Sequence, residues 1–347
     1  MALHSFILLP EMMKILYIGN KLSKYGFAPT TVETLGRQLE EYYDVTSVSD
    51  KKNKALRVCD IIISIIREKH VDYVLIDTYS TSYFYIVFIA SSLCRFLKIK
   101  YIPILHGGNL PQRLEQSPRL SRKIFDNSYI NVSPSEFLNY EFKRHGYNKV
   151  VTIPNHIIIE DYKFINRVSL QPKLLWVRSF DKTYNCEMAV DVLRIISAFY
   201  PDAILCMVGP DKDGSMQRVK DFAIRSGVSE RLFITGKLSR PEWHNLSEEY
   251  DIFINTSNYD NMPVSVIEAM ALGLPVVSTN VGGVPYLINN GEDGFLCEKD
   301  NAKDMAEIIL RLLQSPETCM RICTSARKKV EAFDWKFVKE QWRGLIG

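Results

Sequence analysis

Short apolar runs alternate with longer segments of helical periodicity along the whole chain. Such runs are typical of buried parallel strands, and the longer segments are typical of the crossover helices that connect them. We predict two series of strands separated by a polar, irregular passage. The first series is 14–18, 44–48, 72–76, 100–105, 128–132 and 149–153, and the second is 173–177, 203–208, 231–234, 251–254, 275–278 and 294–297.

Two strand series of similar build predict an α/β protein with two Rossmann-like, doubly wound domains that face each other across a cleft. We assign residues 13–165 to the first domain and residues 166–334 to the second, and we expect a terminal helix within 335–347. Residues 1–12 form an N-terminal extension. Their apolar run has no basic leader and no small-residue cleavage site, so a signal peptide is not expected.

Composition adds three expectations. With 347 residues, 46% of them hydrophobic and 24% charged, the chain can build two globular cores. A net charge of only +3 provides no global attraction to nucleic acid, so no nucleic-acid partner is expected. The seven scattered cysteines lack metal-type spacing, and they predict reduced thiols in a cytoplasmic protein.

Two segments raise the question of membrane contact. Residues 78–94 carry no charge but include six Ser or Thr, which favours a buried crossover helix and leaves a bilayer-spanning helix as the alternative. A basic segment of the first domain has two interpretations: contact with anionic lipid or a lipid-linked acceptor, or a solvated helix face. It contains Arg113, Arg119, Arg122 and Lys123.

The densest set of chemically informative residues lies between 258 and 283. Pro263 suits the first helical position and Asn261 suits the cap, so a helix should begin near Met262. Its free N–H groups and positive dipole end favour a phosphate. Glu268 lies about 7.5 Å further along the axis, roughly the step from a diphosphate to a ribose. Its carboxylate is suited to accept hydrogen bonds from ribose hydroxyls.

This segment resembles the signature of the family 4 glycosyltransferases, in which a Glu, seven residues and a second Glu are followed by Ala-Met-Ala-x-Gly-x-Pro-Val-Val. Glu268 matches the second Glu, Asp260 replaces the first, and the match extends to Gly282 and Gly283. The resemblance implies the GT-B fold and a terminal helix that crosses back to the first domain.

For activity, the resemblance implies retaining transfer of a sugar from a nucleotide-diphosphate donor to a hydroxyl acceptor. The expected setting is surface polysaccharide or glycolipid biosynthesis. The expected partners are a nucleotide sugar and a glycan or lipid-linked acceptor, in the cytoplasm or in peripheral contact with the inner face of the membrane.

Four residues are the candidates for catalysis. Arg178 and Lys182 follow the strand 173–177, where two cations would stabilise a departing diphosphate. Taken alone, such cations are more often simply solvated. His106 follows the strand 100–105 and would orient the donor sugar with Asp260; the alternative is a structural histidine.

Further donor-binding positions follow from the resemblance and from the predicted helix start. Gly19 and Gly107 lie at strand ends of the first domain, and Gly236 with Lys237 resembles the loop that holds the base. The predicted helix start adds the four consecutive residues Asn261, Met262, Pro263 and Val264.

We expect neither a metal nor another cofactor. Asp211 and Asp213 resemble the Asp-x-Asp metal site of another glycosyltransferase fold, but their context favours a polar turn at the start of a helix. Two rival functions remain open at this point. One is a nucleotide-sugar epimerase of the same fold, and the other is a non-catalytic sugar-nucleotide-binding subunit, which Asp260 suggests.

Overall fold

The computed structural model describes residues 12–27 and 29–347, so almost all of the expected N-terminal extension lies outside the described residues. All of the predicted strands are present. The largest difference is at β5, which begins at Asn131 instead of 128. The strands are β1 (Lys14–Ile18), β2 (Asp44–Val48), β3 (Tyr73–Thr78), β4 (Lys100–Leu105), β5 (Asn131–Ser133), β6 (Val150–Thr152), β7 (Lys173–Val177), β8 (Ile204–Val208), β9 (Leu232–Gly236), β10 (Ile252–Asn255), β11 (Val276–Thr279) and β12 (Phe295–Cys297).

The helices fill the intervals between the strands. They are α1 (Thr31–Leu39), α2 (Lys54–Arg67), α3 (Tyr83–Phe96), α4 (Leu110–Gln116), α5 (Pro118–Phe125), α6 (Glu136–Arg144), α7 (Cys186–Ser197), α8 (Ser215–Arg225), α9 (Arg240–Leu246), α10 (Val264–Ala271), α11 (Val284–Leu287), α12 (Ala302–Leu313), α13 (Pro316–Val330) and α14 (Trp335–Ile346).

The strands form two six-stranded parallel sheets, ordered β2-β1-β3-β4-β5-β6 and β12-β11-β10-β7-β8-β9. In each sheet the next strand or strands of the chain are added on one side of the first strand, and the later strands are then added on its other side. This reversal falls between β1 and β3 in the first sheet and between β7 and β10 in the second. In such sheets the connecting loops diverge at the reversal and leave a crevice beyond the carboxyl ends of the strands, where ligands bind.

The last helix joins the core of the first sheet. Trp335, Val338, Trp342 and Ile346 of α14 are buried in the same cluster as Tyr17 of β1. The carboxylate of Asp334 caps this helix, accepting a hydrogen bond from the N–H of Lys336 at 2.8 Å and another from the N–H of Ile159 at 3.0 Å. This cap connects α14 to the segment that leads into the second sheet.

The uncharged segment 78–94 contributes most of α3. Phe84, Val87, Ala90 and Cys94 of this helix are fully buried in the core of the first sheet, as expected for a crossover helix. Within residues 12–27 and 29–347, no helix combines the length and apolar character needed to cross a membrane.

The turn after β8 should be sensitive to a single methyl group. Gly209 has φ +151°, and a Cβ atom there would lie 1.7 Å from the carbonyl oxygen of Arg178. Gly227 also has a positive φ, +69°, but a Cβ atom there would meet open space. We expect Gly227→Ala to lose about 1–2 kcal/mol of stability from backbone strain, and Gly209→Ala to lose more than about 4 kcal/mol because the end of β7 must shift. Urea denaturation measures both losses, and equal losses would show that the turn is not tightly packed.

Candidate active site

An ion pair joins the two strand ends at the reversal point of the second sheet. Arg178 follows β7 and Asp260 lies in the loop after β10, and these strands are neighbours. The Nη2 atom of Arg178 donates to the Oδ2 atom of Asp260. The two side chains are only 14% and 12% exposed, so little water competes with this charge-assisted hydrogen bond.

Asp260 is held by further protein donors. Its Oδ2 atom accepts a hydrogen bond from the hydroxyl of Ser257 at 3.0 Å, and its Oδ1 atom accepts one from the N–H of Asn261 at 3.1 Å. The guanidinium of Arg178 lies over the ring of Tyr184, at 5.0 Å from the centroid. Its Nε atom is a buried donor without a partner in the described part of the chain. An acceptor oxygen of a ligand would satisfy it.

The helix after Asp260 begins later than its sequence suggests. α10 starts at Val264, and Pro263, with φ −67° and ψ 112°, is its extended cap. The predictions of a start near Met262, a cap at Asn261 and a first helical position at Pro263 are therefore wrong. The N–H groups of Val264 and Ser265 have no acceptor among the described residues, which leaves two donors at the positive end of the helix.

Asn261 connects the two sheets instead of capping a helix. Its Oδ1 atom accepts a hydrogen bond from the hydroxyl of Ser135, and its Nδ2 atom donates to the carbonyl of Leu105 at 3.5 Å. The next residue, Met262, accepts a hydrogen bond on its carbonyl from the side chain of Asn155 at 3.3 Å. The loop that carries Asp260 is thus held against the carboxyl ends of strands of the first sheet.

Glu268 is buried on α10, with 4% of its surface exposed. Its Oε1 atom accepts a hydrogen bond from the hydroxyl of Tyr162 at 3.0 Å and lies 2.9 Å from Nε of Arg240. Burial raises the pKa of the Glu268 carboxyl, although Arg240 and Tyr162 oppose that rise. Arg240 is 52% exposed, so it can move aside for a ligand at modest cost.

A cleft of about 680 Å³ opens beside this carboxylate, between α1, α9 and the connecting segment around 156–162. His156 and His244 line it with Arg240 and Tyr162. Burial, reinforced by the charge of Arg240, lowers the pKa of both imidazoles to about 4. Both are therefore neutral near pH 7.

His106 belongs to a hydrogen-bonded set at the carboxyl end of the first sheet. Its Nε2 atom lies 2.8 Å from Oδ1 of Asp77, and the same oxygen accepts a hydrogen bond from the hydroxyl of Tyr17 at 3.0 Å. Asp77 has no exposed surface, and burial followed by the Asp77 charge raises the pKa of Tyr17. With Nε2–H donating to the carboxylate, Nδ1 of His106 is left as an acceptor for a hydroxyl group.

The remaining catalytic candidate, Lys182, lies near the ion pair but does not join it. Its carbonyl accepts a hydrogen bond from the side chain of Asn258 at 3.1 Å, which places it beside the Asp260 loop. Its ammonium makes no hydrogen bond or ion pair with any described residue. It is an exposed cation near the reversal point of the second sheet.

The two first-domain glycines predicted to bind the donor, Gly19 and Gly107, have close protein neighbours. The N–H of Gly19 donates to Val48 and its carbonyl accepts from Ser49, at 2.6 and 3.0 Å. A Cβ atom at Gly107 would lie 2.9 Å from the backbone nitrogen of Ser80. The N–H of Gly19 is thus used within the first sheet, whereas that of Gly107 has no acceptor among the described residues and is available to a ligand.

The predicted base-binding loop contacts the first domain. The ammonium of Lys237 donates to the carbonyl of Gly26 across the cleft. The carbonyl of Gly236 accepts a hydrogen bond from the N–H of Gly209 at 2.8 Å, which links the ends of β8 and β9. The cleft is therefore bridged at this edge.

Asp211 and Asp213 form the polar turn expected of them. Their carboxylates accept hydrogen bonds from the N–H groups of Gly214 and Ser215, each at 3.0 Å, just before and at the start of α8. Among the residues that the structure describes, no group of three or more His, Cys, Asp or Glu side chains is arranged to hold a metal ion.

Sequence reasoning missed the partners that orient the candidates. Asp77 had a visible signal, since it is the only charged residue of the buried strand β3. Tyr162, Arg240 and Ser135 had none, because they lie far along the chain from the residues they contact.

Residues 159–329, which include Arg178, Asp260 and Glu268, match the family model of glycosyl transferases group 1. The amylovoran biosynthesis glycosyltransferase AmsK of Erwinia amylovora is 26% identical over 248 residues, 68% of this chain and 60% of that protein. The UDP-Gal:alpha-D-GlcNAc-diphosphoundecaprenol alpha-1,3-galactosyltransferase of Escherichia coli is 26% identical over 181 residues, 47% of this chain and 45% of that protein. The chain thus spans less than two thirds of the length of either relative.

The crystal structure of Anabaena HepE in complex with UDP and glucose superimposes with a TM-score of 0.76 over 96% of this chain and 98% of that chain, at 17% identity. The chain therefore has the GT-B fold of two Rossmann-like domains, as predicted. Residues 159–329 are thus similar to the group 1 glycosyl transferases, and the chain as a whole has the fold of the structure on which it superimposes.

The two cleft histidines predict a defined acid sensitivity. Their pKa values are about 4 in the folded protein against 6.5 as the ordinary value, so the unfolded chain binds more protons between these pH values. Stability should therefore fall as the pH drops from about 6.5 towards 4. Melting temperatures over this range should fall less steeply for His244→Asn, whereas His70→Asn, at an exposed position, should follow the wild type. An unchanged slope in His244→Asn would show that His244 is not held neutral by its surroundings.

Proposed function

We propose that this protein is a retaining glycosyltransferase of family 4 that transfers a sugar from a nucleotide diphosphate to a hydroxyl acceptor without a metal ion. The observation that carries the proposal is the arrangement at the reversal point of the second sheet. There Arg178 pairs with Asp260 in the loop that leads into α10, and that helix carries the free N–H groups of Val264 and Ser265 and the buried Glu268.

Each group has a part in donor binding. Arg178, through its unpartnered Nε donor, and the start of α10 bind the diphosphate, and exposed Lys182 adds a second cation. Glu268 accepts the ribose hydroxyls once Arg240 moves aside, while Tyr162 continues to orient its Oε1 atom. The complexes of HepE with UDP and with UDP-glucose support a nucleotide-diphosphate sugar as the donor class.

The chemical step is a same-face displacement. The bond between the anomeric carbon and the donor phosphate oxygen breaks, and a bond from that carbon to the acceptor oxygen forms on the same face. The acceptor proton passes to the departing phosphate, and the cations stabilise the charge that develops there. His106, oriented by Asp77, accepts a hydrogen bond from a sugar hydroxyl through Nδ1. Contact between the two domains at Asn261 limits water at the reacting carbon.

The acceptor is proposed to be a glycan or a lipid-linked sugar in surface polysaccharide or glycolipid assembly. The Escherichia coli relative, whose printed name includes a diphosphoundecaprenol acceptor, supports this class. We propose a cytoplasmic protein in peripheral contact with the inner face of the membrane. The seven cysteines, all free thiols, fit a reducing compartment.

Removing the cation at the reversal point should slow the chemical step. For Arg178→Met we expect kcat for UDP release from UDP-glucose to fall about 10²–10³-fold, because a preorganised donor to the leaving group is lost. Arg194→Met, at an exposed position on α7, is the matched control and should retain wild-type rates. A wild-type kcat in Arg178→Met would refute the assigned role. A changed sugar still attached to UDP would indicate an epimerase.

Neutralising Glu268 should weaken nucleotide binding. A hydrogen bond to a charged acceptor is worth about 1.5–3 kcal/mol, so Glu268→Gln should raise the Kd for UDP roughly 10–100-fold in calorimetric titrations. Glu248→Gln removes a surface carboxylate paired with exposed Lys163 and should leave the Kd unchanged. Equal affinities of wild type and Glu268→Gln for UDP would place the ribose elsewhere.

A further inference from the structure

The first sheet has its own crevice at its reversal point. A pocket of about 450 Å³ lies beyond the ends of β1 and β3, where the order of that sheet reverses. Asn20 lines it from the β1 side and Thr81 and Ser82 from the β3 side, and α2 contributes Lys54 and Arg57. The donor machinery assigned above lies on the second sheet, so it does not account for this pocket.

The charged groups in the lining of the pocket are cationic, since it contains Lys54 and Arg57 but no Asp or Glu. Arg57 is only 7% exposed, yet its guanidinium donates to neutral acceptors: the carbonyls of Lys51 at 2.9 Å and Lys52 at 3.4 Å, and Oδ1 of Asn20 at 2.6 Å. In the described part of the chain it has no carboxylate partner within 4.0 Å. A buried guanidinium without a counter-ion favours the arrival of an anion.

A second, independent observation is the hydroxyl of Tyr83. This residue lines the pocket and is 5% exposed, and its hydroxyl has no hydrogen-bond partner among the described residues. Buried hydroxyls are normally satisfied, so an acceptor oxygen of a ligand is the missing partner. The carboxylate of Asp77 does not line the pocket; its Oδ1 atom is held by His106 and Tyr17, whereas its Oδ2 atom is, like the Tyr83 hydroxyl, buried without a partner among the described residues.

The pocket lies next to the proposed reaction centre. The ring of Tyr83 packs against that of Tyr79, with centroids 5.5 Å apart, and Tyr79 packs against the ring of His106 at 5.4 Å. Ser80, on the same loop, contacts Gly107 of the His106 loop. The rings of Tyr83 and Tyr79 therefore connect the pocket to His106, the histidine assigned to the donor sugar.

We propose that the pocket lined by Lys54, Arg57 and Tyr83 binds an anionic, phosphate-like group carried by the acceptor, holding the acceptor on the first domain while its hydroxyl reaches the donor sugar. The role as an acceptor site rests on the proposed function, whereas anion binding by the pocket does not.

Inorganic pyrophosphate is the first probe, titrated calorimetrically into protein already saturated with UDP so that the donor cleft is filled. We expect binding to persist under these conditions. Loss of a cation or of a hydrogen bond to a charged group should weaken it about 10-fold or more in Lys54→Gln and in the near-isosteric Tyr83→Phe. Arg67→Gln, at the exposed far end of α2, should bind like the wild type. No binding, or binding unaffected by both pocket variants, would overturn the proposal.

Vesicles distinguish the two sources of such an anion. If the group belongs to a lipid, phosphatidylcholine vesicles that contain phosphatidic acid should retain the wild-type protein, vesicles of phosphatidylcholine alone should not, and Lys54→Gln should abolish the difference. If the group belongs to a soluble acceptor, pyrophosphate should bind but neither kind of vesicle should retain the protein. Titration of the wild type with UDP alone tests the proposed function separately. If UDP does not bind, the proposed function fails, and the pyrophosphate titration still tests whether the pocket binds an anion.

Discussion

The architecture of the site depends on the ion pair that joins Arg178 and Asp260 across neighbouring strands of the second sheet. The pair fixes the loop that leads into α10, and the start of α10 presents two free N–H groups. Because the pair is largely buried, removing either partner would leave an uncompensated charge beside the position assigned to the diphosphate. This contact thus contributes both to the position of the Asp260 loop and to the charge of the proposed donor site.

Each of the two sheets has a crevice at the point where its strand order reverses. In the second sheet the crevice contains a guanidinium, helix donors and a buried carboxylate, which together suit a nucleotide diphosphate. In the first sheet it contains a buried guanidinium and an unpartnered hydroxyl, which suit an anionic group on the other substrate. The Asp260 loop reaches across the cleft through Asn261, which bonds Ser135 and the carbonyl of Leu105 at the carboxyl ends of the first sheet.

Local patterns predicted the strands well, because a parallel sheet covered on both faces requires uninterrupted apolar runs. They failed at the start of α10, where Asn261 and Pro263 have the residue types of a cap and a first helical position. The side chain of Asn261 instead bonds Ser135 of the first domain, a contact between residues 126 positions apart. The pairing of Glu268 with Arg240 and that of His106 with Asp77 are also long-range. No local periodicity encodes such contacts.

The most direct measurement of the central claim is a crystal structure of the protein with UDP bound. We predict that diphosphate oxygens lie within hydrogen-bond distance of Arg178 and of the N–H groups of Val264 and Ser265, that the ribose hydroxyls bond Glu268, and that Arg240 is displaced. Density for UDP away from the start of α10, with the Arg240–Glu268 pair intact, would contradict this prediction.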